Sequence, residues 1–282
     1  MGSMSHTDRP HASTDRTLLT HHAYRHAQPL TARQRLYDFQ RPRYDLPGLV
    51  LRHLDHPHGT WADVGCGTGL YLDRIRSERP QAHVLGLDLS ASLLAALEGA
   101  RVCADAALLP LRTGSVDVVL AMHMLYHLND PDRALAEAAR VLKPVGSLVV
   151  STNSRHDKQE LDELWARAAA RVLGEEQGPR RVKLSARFAA EDAARTIGRH
   201  FEQVSVIDLD GVIEVDSPEP VLAHYASYRA WSHETGVPFE QTLNRVEDDL
   251  RVLLEEGPLA ITTRQALIFA HRPRHDREAP AP

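Results

Sequence analysis

The chain has 282 residues, and its 33 Lys and Arg against 38 Asp and Glu give a formal net charge of −5. Hydrophobic residues make up 43% and charged residues 25%, which is typical of a folded globular protein and excludes a disordered or collagen-like chain. There is no uncharged apolar run of about 18 residues and no apolar segment near the N-terminus, so we expect neither a membrane span nor a secretory signal.

The first predicted elements are short helices. Residues 1–18 are polar and are expected to be disordered, and the first three have the form of a cloning remnant. Residues 19–56 are predicted to form an N-terminal helical arm, with helical patterns over residues 30–39 and 46–54. Both patterns carry apolar faces, so we expect the arm to dock against the rest of the molecule.

Residues 57–152 alternate between short apolar strands and helices. Strands are predicted over residues 61–64, 83–88, 101–103, 116–121 and 147–151. Continuous apolar strands separated by helices are typical of a parallel sheet covered on both faces. The predicted fold class is therefore α/β, with a doubly wound, Rossmann-like sheet.

Residues 153–272 are predicted to complete this sheet and to carry helical insertions. The insertions, over residues 158–198 and 217–256, are expected to form a lid. Further strands are predicted over residues 201–209 and 259–270, and residues 273–282 form a polar tail. We thus predict one sheet domain with a helical lid and an N-terminal arm.

A glycine-rich loop, residues 65–69, joins the first strand of the sheet to the following helix. In open α/β sheets this position binds cofactors, and glycines such as Gly65 and Gly67 let the backbone turn sharply against a ligand. Asp63 at the end of the strand would repel a pyrophosphate and favours a cation or hydrogen-bond donors. We interpret Cys66 as a small spacer that contacts the cofactor and is not a nucleophile.

Two further acids end the next two strands. Asp88, followed by Leu89, lies about 20 residues beyond the loop, where an acid holds the ribose hydroxyls in nucleotide folds. Asp105, followed by Ala106, can accept a hydrogen bond from an adenine amine. Three acids at consecutive strand ends describe a phosphate-free adenosine ligand, and S-adenosylmethionine (SAM) has that shape and a sulfonium cation. We predict SAM as the cofactor and S-adenosylhomocysteine (SAH) as its product.

These segments resemble the class I SAM-dependent methyltransferases, over roughly residues 45–152. The resemblance is carried by residues 63–69, Asp88, Asp105-Ala106, the strand over 116–121 and residues 142–146, where Val145 replaces the usual glycine. The stretch 122–127 before Asn129-Asp130-Pro131 is similar to the small-molecule branch that includes the ubiquinone and menaquinone methyltransferases. The resemblance implies a seven-stranded sheet whose last strand runs antiparallel.

Two histidines follow the fourth predicted strand. His123 and His127 are four residues apart, so a helical turn would place them on one face. His127 has three open roles: a general base or substrate-orienting group, a structural residue bonded to nearby backbone, or half of a metal pair. No third metal ligand is evident, so we predict no metal. His127 and Tyr126 are the candidate catalytic residues, and His123 is placed near the methionine end of SAM.

Aromatic residues in the lid are candidates for the acceptor wall. Tyr225, Tyr228 and Trp231 are spaced three apart and share a helix face, and Trp165 lies on the first lid helix. Packing against the sheet is the default interpretation for these aromatics, and a wall for an aromatic or apolar acceptor is the sharper one.

The arm offers further candidates. Tyr24 is a candidate substrate contact, and Arg35 and Tyr44 are candidates to close over SAM, with an arginine pairing with its carboxylate. The alternative is a solvated, flexible arm.

The predicted function is SAM-dependent methyl transfer to a small-molecule acceptor. Alternatives are a tRNA or other nucleic-acid methyltransferase, against which the net charge of −5 argues, and a SAM-fold protein with non-methylating chemistry. The chain has only three lysines, which indicates a GC-rich bacterial source and suggests natural-product metabolism. Two cysteines cannot build a disulfide framework, so we expect a cytoplasmic monomer or homodimer.

Overall fold

The structure is a computed structural model that describes residues 12–54 and 56–274. Helix α1 (Arg16–Leu18) precedes the arm, which contains a π-helical turn (Leu19–Ala23), α2 (Ala27–Arg35), a 3₁₀ turn (Leu36–Phe39), β1 (Gln40–Arg41) and α3 (Leu46–His53). Asp45 caps α3, because its Oδ1 accepts a hydrogen bond from the Gly48 backbone N–H at 3.1 Å.

The segment that precedes the arm differs from the sequence expectation. Residues 1–11 of the expected disordered tail lie outside the described residues, but residues 12–18 form helical turns. Ser13 and Thr14 are buried, and Arg16 forms an ion pair with Asp105. The expectation of disorder was therefore wrong for residues 12–18, because tertiary contacts fix a segment whose composition alone is polar.

The central part of the chain alternates as expected. It contains β2 (Gly59–Val64), α4 (Leu70–Glu78), β3 (Ala82–Asp88), α5 (Ala91–Ala95), β4 (Arg101–Cys103), β5 (Val116–Met122), α6 (Pro131–Val141) and β6 (Leu142–Asn153). Ser90 caps α5 through Leu93 N–H at 3.3 Å, and Asp130 caps α6 through Arg133 N–H at 3.1 Å. Pro131 occupies the first turn of α6, where its missing N–H costs nothing.

The remaining chain adds helices and four strands. They are α7 (Gln159–Leu173), α8 (Ala190–Ile197), β7 (Phe201–Asp208), β8 (Gly211–Val215), α9 (Glu219–Ala226), α10 (Phe239–Glu255), β9 (Leu259–Thr263) and β10 (Gln265–Pro273). No helix of the described residues is long and apolar enough to cross a membrane.

The main sheet has seven strands in the order β4-β3-β2-β5-β6-β10-β7. The first five strands of that order are parallel, and β10 is antiparallel to both β6 and β7. The seven-stranded α/β sheet with an antiparallel last strand is thus confirmed. The strand order reverses between β2 and β5, which is the place where open α/β sheets bind ligands.

Both faces of the main sheet are buried, which explains the continuous apolar strands. Along β5, Val119 packs into the cluster on one face, and Val118 and Leu120 pack into the cluster on the other. A third apolar cluster lies under the lid, between α7, α9, α10 and the second sheet.

A second sheet, of three antiparallel strands in the order β1-β8-β9, was not predicted. The single strand expected over residues 259–270 divides at Arg264, so that β9 pairs with β8 and β10 enters the main sheet. The Gln40 amide donates to Thr263 Oγ1 at 2.9 Å and fastens the arm to this sheet. At Gly211 a Cβ would lie 2.8 Å from the Arg41 carbonyl oxygen, so this close approach requires a glycine.

Candidate functional site

A cavity of about 1140 Å³ opens at the carboxyl ends of β2, β3 and β5. The sheet contributes the glycine loop and the strand-end acids, the arm contributes α2 and the 3₁₀ turn after it, and the lid contributes residues from α9 and the loop after α7. The three predicted parts of the chain therefore meet at one cavity.

The glycine loop adopts backbone angles that favour glycine. Gly65, Gly67 and Gly69 have φ values of 73°, 53° and 83°. Gly67 N–H donates to Asp88 Oδ2 at 2.9 Å, and a Cβ on Gly67 would lie 2.9 Å from Leu30 Cδ2 of α2. The loop thus ties two strand ends together and lies directly beneath the arm.

Cys66 lies in the same loop and is buried. Burial, followed by the neighbouring Asp63 and Asp88 carboxylates, raises the pKa of its thiol above the ordinary value. A thiol held protonated is a poor nucleophile, which supports the interpretation of Cys66 as a spacer.

Asp63 is the most unusual acid of the site. Its side chain is 1% exposed and neither carboxylate oxygen has a hydrogen-bond partner. Burial, with a smaller contribution from Asp88, raises the pKa of Asp63 to about 7. A buried carboxylate without a partner is costly, and a cationic or hydrogen-bond-donating ligand in the cavity would compensate it.

The other two strand-end acids also line the cavity. Asp88 accepts from Gly67 N–H and from Ser90 N–H, the latter at 2.8 Å, and burial raises its pKa. Asp105 accepts from Ala107 N–H at 2.9 Å and pairs with Arg16. Each carboxylate oxygen has a second lone pair, which is left for ligand hydroxyl or amine groups.

The chemical character of these features matches that of SAM. An unpartnered buried carboxylate, a glycine loop without side chains and acids at adjacent strand ends suit a cationic, phosphate-free nucleoside. Leu89 and Ala106 lie in the same wall, beside Asp88 and Asp105. All the predicted cofactor-binding residues line this one cavity; they are Asp63, Gly65, Cys66, Gly67, Asp88, Leu89, Asp105, Ala106, His123, Arg35 and Tyr44.

His127 forms a hydrogen-bonded chain with the arm. Its Nδ1 lies 3.0 Å from the Ser13 carbonyl oxygen, and its Nε2 lies 2.6 Å from the Tyr24 hydroxyl oxygen. A carbonyl only accepts, so Nδ1 carries the proton and Nε2 accepts from Tyr24. Burial, and to a smaller extent the charge of Arg33, lowers the pKa of His127 to about 4.

Tyr126 lies beside this chain, with its ring centroid 4.7 Å from that of His127. Tyr126 is buried but lines the cavity, as do Tyr24 and His127. The structure therefore groups the two candidate catalytic residues with Tyr24, which the sequence had indicated only as a substrate contact.

His123 lies at the end of β5 with a φ of 52°. Its backbone N–H donates to the Ser151 carbonyl oxygen at 3.0 Å, and burial lowers the pKa of its imidazole to about 4. Among the described residues, no group of three or more His, Cys, Asp or Glu side chains could hold a metal ion.

The two arm residues predicted to close over the cofactor line the cavity in different ways. Tyr44 is fixed, because its hydroxyl donates to the Asp210 carbonyl oxygen at 2.8 Å. Arg35 ends α2 and forms part of the cavity wall.

The lid aromatics divide into two groups. Tyr228 lines the cavity, whereas Trp165, Tyr225 and Trp231 do not, which corrects the expectation that all four form the acceptor wall. Trp165 and Tyr225 pack together with ring centroids 5.4 Å apart, and the Tyr225 hydroxyl donates to the Leu161 carbonyl at 2.7 Å. Burial of the large apolar rings of these three residues stabilises the core, where their side chains are at most 2% exposed.

Trp231 packs against the candidate catalytic residues from the core side. Its ring is stacked against that of His127, with centroids 6.3 Å apart, and it also contacts the Tyr24 ring. It therefore holds the Tyr24–His127 pair in place from the core side.

Sequence reasoning missed several polar residues of the cavity wall. Arg33, Asp157, Lys158, Arg181 and His224 all line the cavity, although they come from α2, the start of α7, the loop after α7 and α9. Their spacing in the chain gives no common motif. One sequence feature could have drawn attention to this group. The chain has few lysines, and one of them, Lys158, is buried.

Comparison with known proteins identifies the domain that carries the glycine loop. Residues 62–150 match a family model described as a methyltransferase domain. The malonyl-[acyl-carrier protein] O-methyltransferase of Laribacter hongkongensis is 34% identical over 143 residues, which are 45% of this chain and 48% of that protein. A probable tRNA methyltransferase 9B of Mus musculus is 35% identical over 132 residues, which are 42% of this chain and 29% of that protein.

A solved structure supports the fold over more of the chain. An N-methyltransferase of Haemonchus contortus, in complex with phosphomonomethylethanolamine and SAH, has a TM-score of 0.55 at 15% identity. The similarity covers 92% of this chain and 60% of that chain. This chain spans about half the length of the curated relative from Laribacter hongkongensis. The family model covers residues 62–150, and the arm and lid lie outside that range.

Proposed function

We propose that this chain, which belongs through residues 62–150 to the class I SAM-dependent methyltransferases, methylates a small-molecule acceptor inside the cavity under its lid. The observation that carries the proposal is Asp63, a buried and unpartnered carboxylate at the loop where SAM is expected. It favours a cationic ligand at this position.

The chain supplies positioning and a path for a proton. SAM, when bound, supplies a methyl group already activated by the sulfonium. The glycine loop and the strand-end acids hold the cofactor, and the arm and lid exclude water and hold the acceptor in line, which is a large part of catalysis in such reactions. At neutral pH the uncharged His127 can take a proton from Tyr24, whose hydroxyl can take one from the acceptor.

The shape of the site favours a small acceptor over a nucleic acid. The cavity is walled by α2, the lid and the sheet, and Tyr24 and Tyr228 form part of its interior. The formal net charge of −5 also argues against a general attraction for a polyanion. The curated tRNA methyltransferase relative is similar over 42% of this chain, and we do not extend its substrate to this protein.

The acceptor and its metabolic setting are part of the proposal. Malonyl-[acyl-carrier protein], which is named for the curated relative, is the first acceptor to test. The arginine-rich, lysine-poor sequence supports a bacterial natural-product enzyme, and the two unpaired cysteines support a cytoplasmic one.

The cofactor assignment is tested by calorimetry with SAM and SAH. Wild-type protein should bind both, and Asp88→Ala should bind at least about tenfold more weakly, since it removes charge-assisted hydrogen bonds to the ribose. Asp248→Ala, which changes an exposed acid on α10, is the matched control and should bind like the wild type. Absence of binding to the wild type, or equal binding to Asp88→Ala, would contradict the assignment.

A further inference from the structure

Four residues of the cavity wall form a group that the SAM-binding residues do not explain. We call the cations Arg33, Lys158 and Arg181, together with the uncharged His224, the cationic cluster; all four line the cavity. Arg33 comes from the arm, and the others come from the lid and the start of α7. Two parts of the chain outside the matched methyltransferase domain thus converge on one place.

The charges of the cluster are only partly compensated. Lys158 pairs with the buried Asp157, and Arg181 pairs with Asp162 at 2.7 Å. Asp162 is shared with a further cation, because Lys183 Nζ lies 2.9 Å from its other oxygen.

Arg33 has no place in these ion pairs. Its Nη1 donates to the Ser227 carbonyl oxygen at 3.1 Å, and its Nη2 is buried without a hydrogen-bond partner. The described cavity wall therefore carries an excess of positive charge around Arg33, which is costly to bury unless an anion binds there.

His224 gives an independent indication of a ligand. It is 2% exposed, lines the cavity, and has no hydrogen-bond partner at either ring nitrogen. Burial and the charges of Arg181, Lys158 and Arg33 lower the pKa of His224 well below its ordinary value. The uncharged ring offers one N–H donor into the cavity, and a buried donor without a partner is rare in folded proteins.

Aromatic rings hold the two guanidinium groups in place. The Arg33 guanidinium carbon lies 5.2 Å from the Tyr24 ring centroid and 5.6 Å from that of Tyr228. Arg181 lies 5.2 Å from the same Tyr228 ring. Stacking fixes these long side chains before any ligand arrives, so little side-chain entropy remains to be lost on binding.

We propose that the cationic cluster binds an anionic group of the acceptor, a carboxylate or a phosphate. This inference rests on the proposed function, because it assigns the substrate class of the same cavity. A guanidinium presents a planar pair of N–H donors that matches either group. Tyr24 and Tyr228, which stack on Arg33, provide an adjacent surface for an aromatic or apolar body.

The test uses three probes of similar size with the protein saturated by SAH. They are 3-(4-hydroxyphenyl)propanoate, its primary amide, and phenyl phosphate, and affinity is measured by calorimetry. The acid or the phosphate should bind roughly tenfold to a hundredfold more tightly than the amide. Which of the two binds more tightly identifies the anionic group.

The variants test whether the cluster causes this preference. Arg33→Gln and His224→Gln should reduce the preference for the anion to about twofold or less, and Arg33→Lys should retain part of it. Arg251→Gln removes an exposed arginine from α10 and should leave the preference unchanged. A cooperative thermal unfolding transition like that of the wild type, followed by circular dichroism, shows that each variant is folded, and SAH affinity is measured separately.

Two results would overturn the inference. One is equal binding of acid, phosphate and amide to the wild type. The other is loss of SAH affinity in folded Arg33→Gln with the preference retained, because the cluster would then hold the methionine carboxylate of the cofactor. Failure of the proposed function is distinguishable, since it appears as absence of SAH binding to the wild type and leaves the probe comparison measurable without SAH.

Discussion

Asp63 shows how one buried residue can link ligand binding to pH. Its pKa of about 7, against an ordinary value of 3.8, means that the folded protein holds the proton more strongly than the unfolded chain does. The free energy of unfolding therefore falls as pH rises between these two values, and it is constant above them with respect to this group. A difference of about three pKa units corresponds to about 4 kcal/mol.

We predict that Asp63→Asn removes this dependence and weakens SAM binding. In urea unfolding without SAM, the variant should equal the wild type near pH 4 and exceed it by up to about 4 kcal/mol above pH 7. Asp73→Asn, at a position whose side chain is 78% exposed, should follow the wild type throughout. Parallel curves for Asp63→Asn and the wild type would show that Asp63 titrates normally.

The Tyr24–His127 pair allows the role of His127 to be decided. If the pair carries a proton from the acceptor, Tyr24→Phe and His127→Ala should each lower turnover by about 10²–10⁴, with SAM affinity unchanged. The double variant should lose no more than the worse single variant, because the two groups act as one unit. SAH formation with an accepted substrate is the measurement.

Near wild-type turnover in His127→Ala would give a different answer. The contact between His127 and the Ser13 carbonyl would then be structural, and the loss would appear in the free energy of unfolding.

Among the secondary-structure elements, helix α2 covers the glycine loop. Leu30 lies above Gly67, and Arg33, three residues further along the helix, reaches the acceptor side of the cavity. A single helix thus contacts the predicted cofactor loop and the cationic cluster, so its position affects both ligands.

We predict that Gly67→Ala perturbs the contact between α2 and the glycine loop. An alanine there adds strain at a φ of 53° and displaces Leu30, so SAM affinity should fall by about tenfold or more. Gly114→Ala is the matched control, because Gly114 has a φ of 64° but no neighbour within 4 Å of a Cβ. Both should lose about 1–2 kcal/mol of stability, and only Gly67→Ala should lose SAM affinity. Equal SAM affinity in the two variants would mean that α2 does not contact the loop in solution.

The elements of the main sheet could be predicted because each has a local pattern. The apolar strands β2, β3 and β5, the capping residues and Pro131 all act through neighbours in the sequence. The strands of the second sheet have no comparable local sequence pattern. Strand β1 has two residues, and the division at Arg264 depends on which partner strand is nearest, which is a tertiary property.

At the scale of the whole molecule, three histidines that line the cavity, His123, His127 and His224, have depressed pKa values. Burial lowers the pKa of His123 and His127 from 6.5 to about 4, and it lowers the pKa of His224 well below its ordinary value. Between these values the unfolded chain binds protons that the folded protein does not, so stability falls as pH falls from about 6.5 to 4.

We predict a loss of about 3 kcal/mol for each of His123 and His127 over this interval. The measurement is urea unfolding at pH 4.5 to 7 in the Asp63→Asn background, because Asp63 shifts stability in the opposite direction. His127→Gln in that background should reduce the slope by roughly one third to one half. An unchanged slope would show that His127 is solvated and titrates normally.

The candidate site could be predicted most fully in the part that the domain match covers, and outside it Tyr24, Arg35, Tyr44 and Tyr228 are the predicted residues that line the cavity. Asp63, Asp88 and Asp105 lie at strand ends, so the order of strands places them together. Arg33 and His224 are almost 200 residues apart, and only the packing of arm against lid makes them neighbours. No spacing in the chain encodes that packing.

The first residues of the arm and the segment before them contact both halves of the site at once. The Ser13 carbonyl holds His127, Arg16 pairs with Asp105, and the Tyr24 carbonyl accepts from the Ser90 hydroxyl at 2.9 Å. Because these contacts occupy the Asp105 carboxylate and fix the candidate base His127, we expect this segment to move aside as SAM reaches the strand ends and to complete the acceptor position when it returns. We therefore expect an ordered kinetic scheme in which SAM enters first and SAH leaves last, with the return of the N-terminal segment separating the two halves of each turnover.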